Sequence, residues 1–185
     1  MDVEAELARL KAEVAELSRK AQAAEDYISI SNLQRAYGYY VDRACWDDAS
    51  DLFAPECRLE INGRGVYLGQ DRVRQYMHRF GPPEYGQLFN HMQLQPIIHV
   101  APDGLTAKGR WRAIIQVGLL GKESRMGEGV YENEYAKEDG VWKIKSLHFF
   151  QTFYADHNRG WHDAPLPLVP MYGDFPPDQP PSQDY

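Results

Sequence analysis

Two cysteines, Cys45 and Cys57, are all that this 185-residue chain contains. Their spacing fits no metal pair, and two thiols do not make a disulfide framework. They read as reduced, partly buried thiols in a cytoplasmic protein. No apolar run approaches the roughly 18 residues needed to span a bilayer, so no membrane partner is expected. The first 25 residues are charged and hold no apolar h-region, so a signal peptide is not expected. There is no basic run, and a pI near 5.3 repels phosphate, which speaks against nucleic acid. No Gly-rich phosphate loop occurs, and no G-x-S-x-G. None of the six histidines pairs at H-x-x-x-H spacing, so no metal is expected.

What is present divides unevenly. The composition is ordinary for a globular chain, 43% hydrophobic and 25% charged, and the net charge is −7. Residues 1–26 hold 7 acids and 4 bases, and residues 155–185 hold 5 acids and 1 base. The 128 residues between them carry 15 of each and are neutral. The acidity lies in two appendages on a body large enough to bury a core. In the first, Leu7, Leu10, Val14, Leu17, Ala21 and Ala24 step by three and four, which is the a/d pattern of a heptad helix. It suits either an oligomerisation helix in a dimer or trimer or an amphipathic helix folded back on its own domain. Asp26 is read as the start of a new helix. The second appendage, residues 155–185, holds 7 of the 12 prolines together with Trp161, Tyr172, Phe175 and Tyr185. Four aromatics in a proline-rich tail point to packing along the body or a neighbouring subunit rather than to a free linker.

Within the body, helical spacing runs from Tyr27 to about Arg43 through Ile28, Leu33, Tyr37, Tyr40 and Val41. A short helix carries Trp46 to Phe53. Cys57 to Asn62 alternates as a strand does, Asn62-Gly63 turns it, and Val66 to Leu68 returns. Gln70 to Phe80 forms a third helix with Val73, Tyr76, Met77 and Phe80 on one face, stopped by Gly81-Pro82-Pro83. The period then becomes two, giving strands near 89–100, 105–118, 124–138 and 141–154. Pro102-Asp103-Gly104, Leu120-Gly121-Lys122 and Asp139-Gly140 turn them. Helices followed by a meander predict an α+β fold whose curled sheet encloses a cavity.

The pattern Ile30-x-x-Leu33-x-x-x-Tyr37-x-x-x-x-Asp42-x-x-x-Trp46-Asp47-x-x-x-x-Leu52-Phe53 resembles the opening of the SnoaL-like branch of the nuclear transport factor 2 superfamily. Asn90-His91, Ala107-x-Gly109-Arg110-Trp111, Tyr131-x-Asn133-x-Tyr135 and Asp139-Gly140-x-Trp142-x-Ile144 agree with it. The resemblance covers residues 27–154 and implies a cone-shaped α+β barrel with a deep pocket between helices and curved sheet. That fold hosts dehydratases, isomerases, cyclases and non-catalytic proteins. Within it the chain is most similar to cofactor-free dehydratases, the bile acid 7α-dehydratase and more distantly scytalone dehydratase. In those enzymes the residues matching Tyr37, Asp42 and His91 face the pocket together, which implies a catalytic role for these three. The strand aspartate of the bile acid enzyme falls at Ile115 here. The lignin-dimer γ-formaldehyde lyases of the same superfamily are a second point of resemblance.

Tyr37 and Asp42 lie five apart, about 140° around a helix axis. Asp42 near a helix C-terminus opposes the dipole and needs a partner. A histidine partner would gain basicity and a fixed tautomer. Strand parity places Trp111, Ala113, Ile115 and Val117 on one inner face, and Tyr131, Asn133 and Tyr135 on another. On the last strand, Trp142, Ile144, Ser146, His148 and Phe150 share a face opposite Lys143 and Lys145, which turns His148 inward. Leu59 and Ile61 line the first strand, and Tyr40 adds a hydroxyl. Asn133 is either a substrate donor or a structural bridge. The expected substrate-binding set is thus Tyr40, Leu59, Ile61, Trp111, Ile115, Tyr131, Asn133 and His148. Such a pocket suits an apolar, hydroxylated aromatic or polycyclic substrate. The expected activity is a lyase-type elimination. A ring isomerase or polyketide cyclase and a non-catalytic binding module are the alternatives.

Overall fold

The computed structural model describes residues 3–61, 63–163 and 173–182. Its elements run α1 (Val3–Asp42), α2 (Trp46–Asp51), β1 (Phe53–Ile61), β2 (Val66–Leu68), α3 (Gln70–His78), β3 (Gln87–Val100), β4 (Thr106–Leu119), β5 (Glu123–Glu138) and β6 (Val141–Asp156). The strands form a single sheet in the order β2-β1-β6-β5-β4-β3. All neighbours are antiparallel except β1 and β6, which run parallel. The sheet curls around the C-terminal half of α1 and around α3, giving the cone of an α+β barrel. The turn at Asn62 lies outside the described residues. No described helix is long and apolar enough to cross a membrane.

No break occurs at Asp26, because α1 is one 40-residue helix. Asp26 is instead its first residue to enter the core, 3% exposed. Its Oδ1 accepts hydrogen bonds from Lys137 Nζ at 2.6 Å, Trp142 Nε1 at 2.9 Å and Gln22 Nε2 at 3.2 Å. Burial alone pushes this carboxyl up, but the three donors outweigh burial and hold its pKa below the usual carboxylate value. Downstream, Ile30, Gln34, Tyr37 and Val41 are buried at helical spacing against the sheet. Gly38 brings that face close to β3: a Cβ there would lie 2.9 Å from Gln93 Cγ and 3.0 Å from the His91 carbonyl oxygen.

Along β5 the alternation is regular, and Gly129, Tyr131, Asn133 and Tyr135 are buried. On β6 it is not. Tyr135 pairs with Ile144 but Glu134 pairs with Ser146, so Lys145 is an extra residue, a β-bulge. A bulge shifts the parity of everything beyond it. Trp142 and Ile144 face the core before it, and Leu147 and Phe149 after it. The inward orientation expected for His148 is therefore corrected. It lies on the convex face, paired across the sheet with Glu132 and Glu60.

The described part of the tail lies on the body. Phe175 stacks on Tyr67, ring centroids 5.5 Å apart and 6° from parallel, with the Arg72 guanidinium 4.0 Å from its centroid. Val66 N–H donates to the Gln179 carbonyl at 2.9 Å, and Asp178 N–H donates to the Val66 carbonyl at 2.8 Å. Asp178 also receives Leu68 N–H at 2.8 Å and pairs with Arg72 at 3.0 Å. Beyond it, Glu60 accepts from Ser182 N–H at 2.7 Å and from its hydroxyl. The tail thus covers the open edge of β2. Tyr172 and Tyr185 lie outside the described residues.

Candidate active site

Asp42 is the last residue of α1, and its carboxylate faces the middle of β3. Its Oδ1 accepts the His91 backbone N–H at 2.6 Å and lies 3.3 Å from His91 Nδ1. With Asp42 ionised, that contact requires the proton on Nδ1 and leaves Nε2 as the accepting nitrogen. The backbone bond holds His91 as well as its ring, and Phe89 packs on the ring at 4.6 Å. Both side chains are mostly buried, 15% exposed for His91 and 20% for Asp42.

His91 forms part of the wall of a cavity of about 130 Å³ between the helices and the concave face of the sheet. Tyr37, Tyr76, Tyr131 and Tyr154 supply hydroxyls to it, and Arg64 and Gln151 further polar groups. The apolar wall includes Ile61, Met77, Phe80, Phe89, Ile115 and Phe149. A cavity of this size is on the scale of one six-membered ring. Tyr37 is 4% exposed and Tyr131 2%. Their rings meet edge to face at 6.2 Å, and their hydroxyls are hydrogen-bonded to each other. Burial is the largest cause raising the pKa of both, so both remain protonated and able to donate at neutral pH. Burial raises Tyr154 too, against a hydrogen bond from Arg125.

Behind this wall runs a buried amide network. Gln34 Nε2 donates to Gln93 Oε1 at 3.0 Å, and Asn133 Nδ2 and Tyr135 O–H both donate to Gln34 Oε1 at 2.9 Å. Trp111 Nε1 donates to the Tyr135 oxygen at 3.0 Å. Gln93 Nε2 donates back to the His91 carbonyl at 3.2 Å, and the Gln93 side chain also hydrogen-bonds the Tyr131 hydroxyl. The network fixes Tyr131 and the backbone of His91 from the side away from the cavity.

Of the residues singled out from sequence, Tyr37, His91, Ile61, Ile115 and Tyr131 converge on the cavity, with Asp42 directly behind His91. Leu59 and Trp111 are fully buried in the packed core and do not line it. Tyr40 packs against the core at its side. Asn133 spends its side chain on Gln34, Tyr135 and the His148 backbone, so it is a structural bridge rather than a wall residue. His148 is corrected to the opposite face of the sheet. There it borders an open trough of about 450 Å³ with His99, Lys108, Arg110, Glu132 and Glu134.

Arg64, Gln93 and Gln34 were not anticipated. Gln93 shares strand parity with His91, and Gln34 precedes Tyr37 by one helical turn, so both carried a readable signal. Arg64 follows the Asn62-Gly63 turn read from sequence, but no periodic pattern there marks it as a wall residue. It donates to the Tyr76 hydroxyl at 3.1 Å and brings a cation to a cavity otherwise lined by neutral groups and His91. Among the described residues no group of three His, Cys, Asp or Glu side chains could hold a metal ion.

Known proteins share this architecture. A hexachlorocyclohexane dehydrochlorinase of Sphingobium indicum is 27% identical over 122 residues, covering 65% of this chain and 71% of that protein. A candidate scytalone dehydratase of Novosphingobium aromaticivorans superposes with a TM-score of 0.67 at 16% identity, covering 81% of this chain and 99% of its own. The type 3 hexachlorocyclohexane dehydrochlorinase of Novosphingobium barchaimii superposes with a TM-score of 0.64 at 17% identity, covering 74% and 93%. At these identities the structural likenesses establish the fold. Residues 22–148 match the SnoaL-like domain, more than half of the chain, and the protein belongs to that family.

Proposed function

We propose that the chain is a cofactor-independent lyase acting on a hydroxylated aromatic small molecule. The observation that carries this reading is the Asp42–His91 pair, whose imidazole stands at the wall of a buried cavity beside two protonated tyrosines. An elimination needs a base for one proton and a donor for the departing oxygen. His91 Nε2 takes the proton while Asp42 stabilises the imidazolium that results. Tyr37 and Tyr131 hydrogen-bond the oxygen that leaves. The three relatives named above, two dehydrochlorinases and a candidate dehydratase, bear names that denote eliminations.

The finest version of the reading is a lignin-derived diarylpropane diol bearing a para-phenol. His91 removes the phenolic proton and delivers a proton to the benzylic hydroxyl as its C–O bond breaks, so that water leaves, a quinone methide forms and the imidazole is again a base. The γ-hydroxyl then loses its proton to the base. Its oxygen forms the second bond of formaldehyde, the Cβ–Cγ bond breaks, and that electron pair restores the aromatic ring as a phenolate, which is reprotonated. The products are a stilbene, water and formaldehyde. Arg64 is the cation for the phenolate oxygen, and one ring fills the cavity while the second lies toward its open side.

The test is incubation of the protein with para-hydroxylated diarylpropane diols and with monocyclic aromatic alcohols, measuring formaldehyde and alkene absorbance. Stilbene and formaldehyde in equal amounts, lost in His91→Ala, support the full reading. Alkene without formaldehyde reduces it to a dehydratase. Proton exchange without loss of water selects an isomerase or cyclase in the same cavity.

A further inference from the structure

The apolar residues on the seam of α1 before Asp26 are exposed. Val3, Leu7, Leu10, Val14 and Leu17 are 77%, 50%, 44%, 61% and 58% exposed. They are not an extension of the stripe that docks on the body. In the heptad frame set by Leu7 at a and Leu10 at d, Asp26 is an f position. It therefore lies about 170° around the axis from the middle of the a/d seam. The helix turns one face to its own sheet and the opposite face, over about 35 Å of its length, to solvent. The seam also reaches the body. Ile28, the next a position, is 57% exposed, and Tyr27 beside it is 42% exposed.

The charges flanking the seam discriminate between partners. The g positions are Glu6, Glu13 and Lys20, and the e positions are Glu4, Lys11, Ser18 and Glu25. In a parallel, in-register pair each g residue meets the e residue five positions on in the other chain. That sets Glu6 against Lys11 and Lys20 against Glu25, with Glu13 against neutral Ser18. No like-charge pair arises. Antiparallel alignments that keep the a/d layers do worse. One sets Glu13 against Glu13 and Lys11 against Lys11, and the next sets Glu4 against Glu25. Ala21 and Ala24 narrow the seam where two helices would have to converge on two bodies.

We propose that residues 3–28 are a docking surface for a second copy of this chain, joined to it as a parallel, in-register coiled coil. The partner is identified by its own charge pattern, since the seam is complementary to itself in one orientation. The assembly holds two catalytic bodies side by side at the C-terminal end of the coil, with the cavity of each left to its own residues.

The experiment uses the full chain with Cys45 changed to Ser, carrying either Leu17→Cys at a d position or Ala12→Cys at an f position, oxidised under mild conditions. The expected result is near-complete covalent dimer for Leu17→Cys and at least tenfold less for Ala12→Cys. In parallel, Lys20→Glu should lower the sedimentation mass at micromolar concentration, and Lys20→Glu/Glu25→Lys should restore it. Equal cross-linking at both positions, no cross-link at position 17, or a mass indifferent to the charge reversal would overturn the proposal. Circular dichroism of each variant confirms that the helix is retained.

Discussion

The two faces of the sheet are built from the same strands and alternate residue by residue, yet they do different work. The concave face carries His91, Ile115 and Tyr131 around the cavity, closed by Tyr37 and backed by a buried amide network. The convex face carries a ladder of charged pairs, Lys108–Glu134, Arg110–Glu132 and Arg112–Glu128, most of whose side chains are half or more exposed. A polar group on the concave face is largely desolvated, so the bonds of the amide network there are expensive to lose. Along this ladder water screens and replaces the partners, unlike at Glu60, which the tail covers. Position on one face or the other, more than residue type, decides what a polar side chain is worth here.

The largest effect that can break this contrast is on the concave side. His91→Ala should lower turnover about 10³-fold, with the circular dichroism spectrum unchanged, and steady-state rates on an accepted diol measure it. Next is Asp26→Ala, which strands Lys137 and Trp142 Nε1 in the core and should destabilise the fold by about 3 kcal/mol in urea titration. The same group fixes the sign of a pH effect. Because the folded pKa of Asp26 lies below its ordinary value of 3.8, its contribution is fully present above that pH and is lost as the pH falls through the folded value. Glu60 is held low in the same direction: burial pushes it up, and Ser182, His148 and Arg58 together outweigh burial. Wild type should therefore lose stability on acidification below about pH 4, and Asp26→Asn should lose less over the same interval.

Smaller still is Phe175→Ala, at the sheet edge, where a ring between Tyr67 and Arg72 is removed. The expected cost is about 2 kcal/mol, read as a lower melting temperature. The smallest effect belongs to the convex face: Arg110→Ala should change stability by no more than about 0.5 kcal/mol. An Arg110 variant as damaging as the Asp26 variant would dissolve the contrast between the faces.

The same contrast explains which parts of the molecule were legible in its sequence. Period two on β4 and β5 marked Trp111, Ile115, Tyr131 and Tyr135 as inward, because an unbroken ladder cannot change parity. The bulge at Lys145 breaks that rule and turns His148 outward, and nothing in Lys143-Ile144-Lys145-Ser146 announces an extra residue. Asp26 looked like a helix start because acids favour N-termini. Its partners Lys137 and Trp142 are more than 100 residues away, out of reach of any local pattern. Asp42 and His91 are 49 residues apart and were joined only by family resemblance. Gly38, which lets the helix approach β3 closely enough for them to meet, carries no local signal of that role. Inward-facing apolar residues were readable locally. The pairs that create chemistry were not, because they join elements distant in sequence.

The central claim is that Asp42 and His91 act as one proton-transferring unit, with Asp42 working through the imidazole. It is tested most directly by comparing kcat for Asp42→Asn, His91→Ala and the double variant on the same diol. Asparagine can still accept the His91 backbone N–H, so the fold is kept while the charge is removed. The account predicts that Asp42→Asn alone lowers kcat about 10²-fold or more, and that adding it to His91→Ala lowers kcat no further. An Asp42→Asn variant that turns over at the wild-type rate, or two losses that multiply in the double variant, would contradict it.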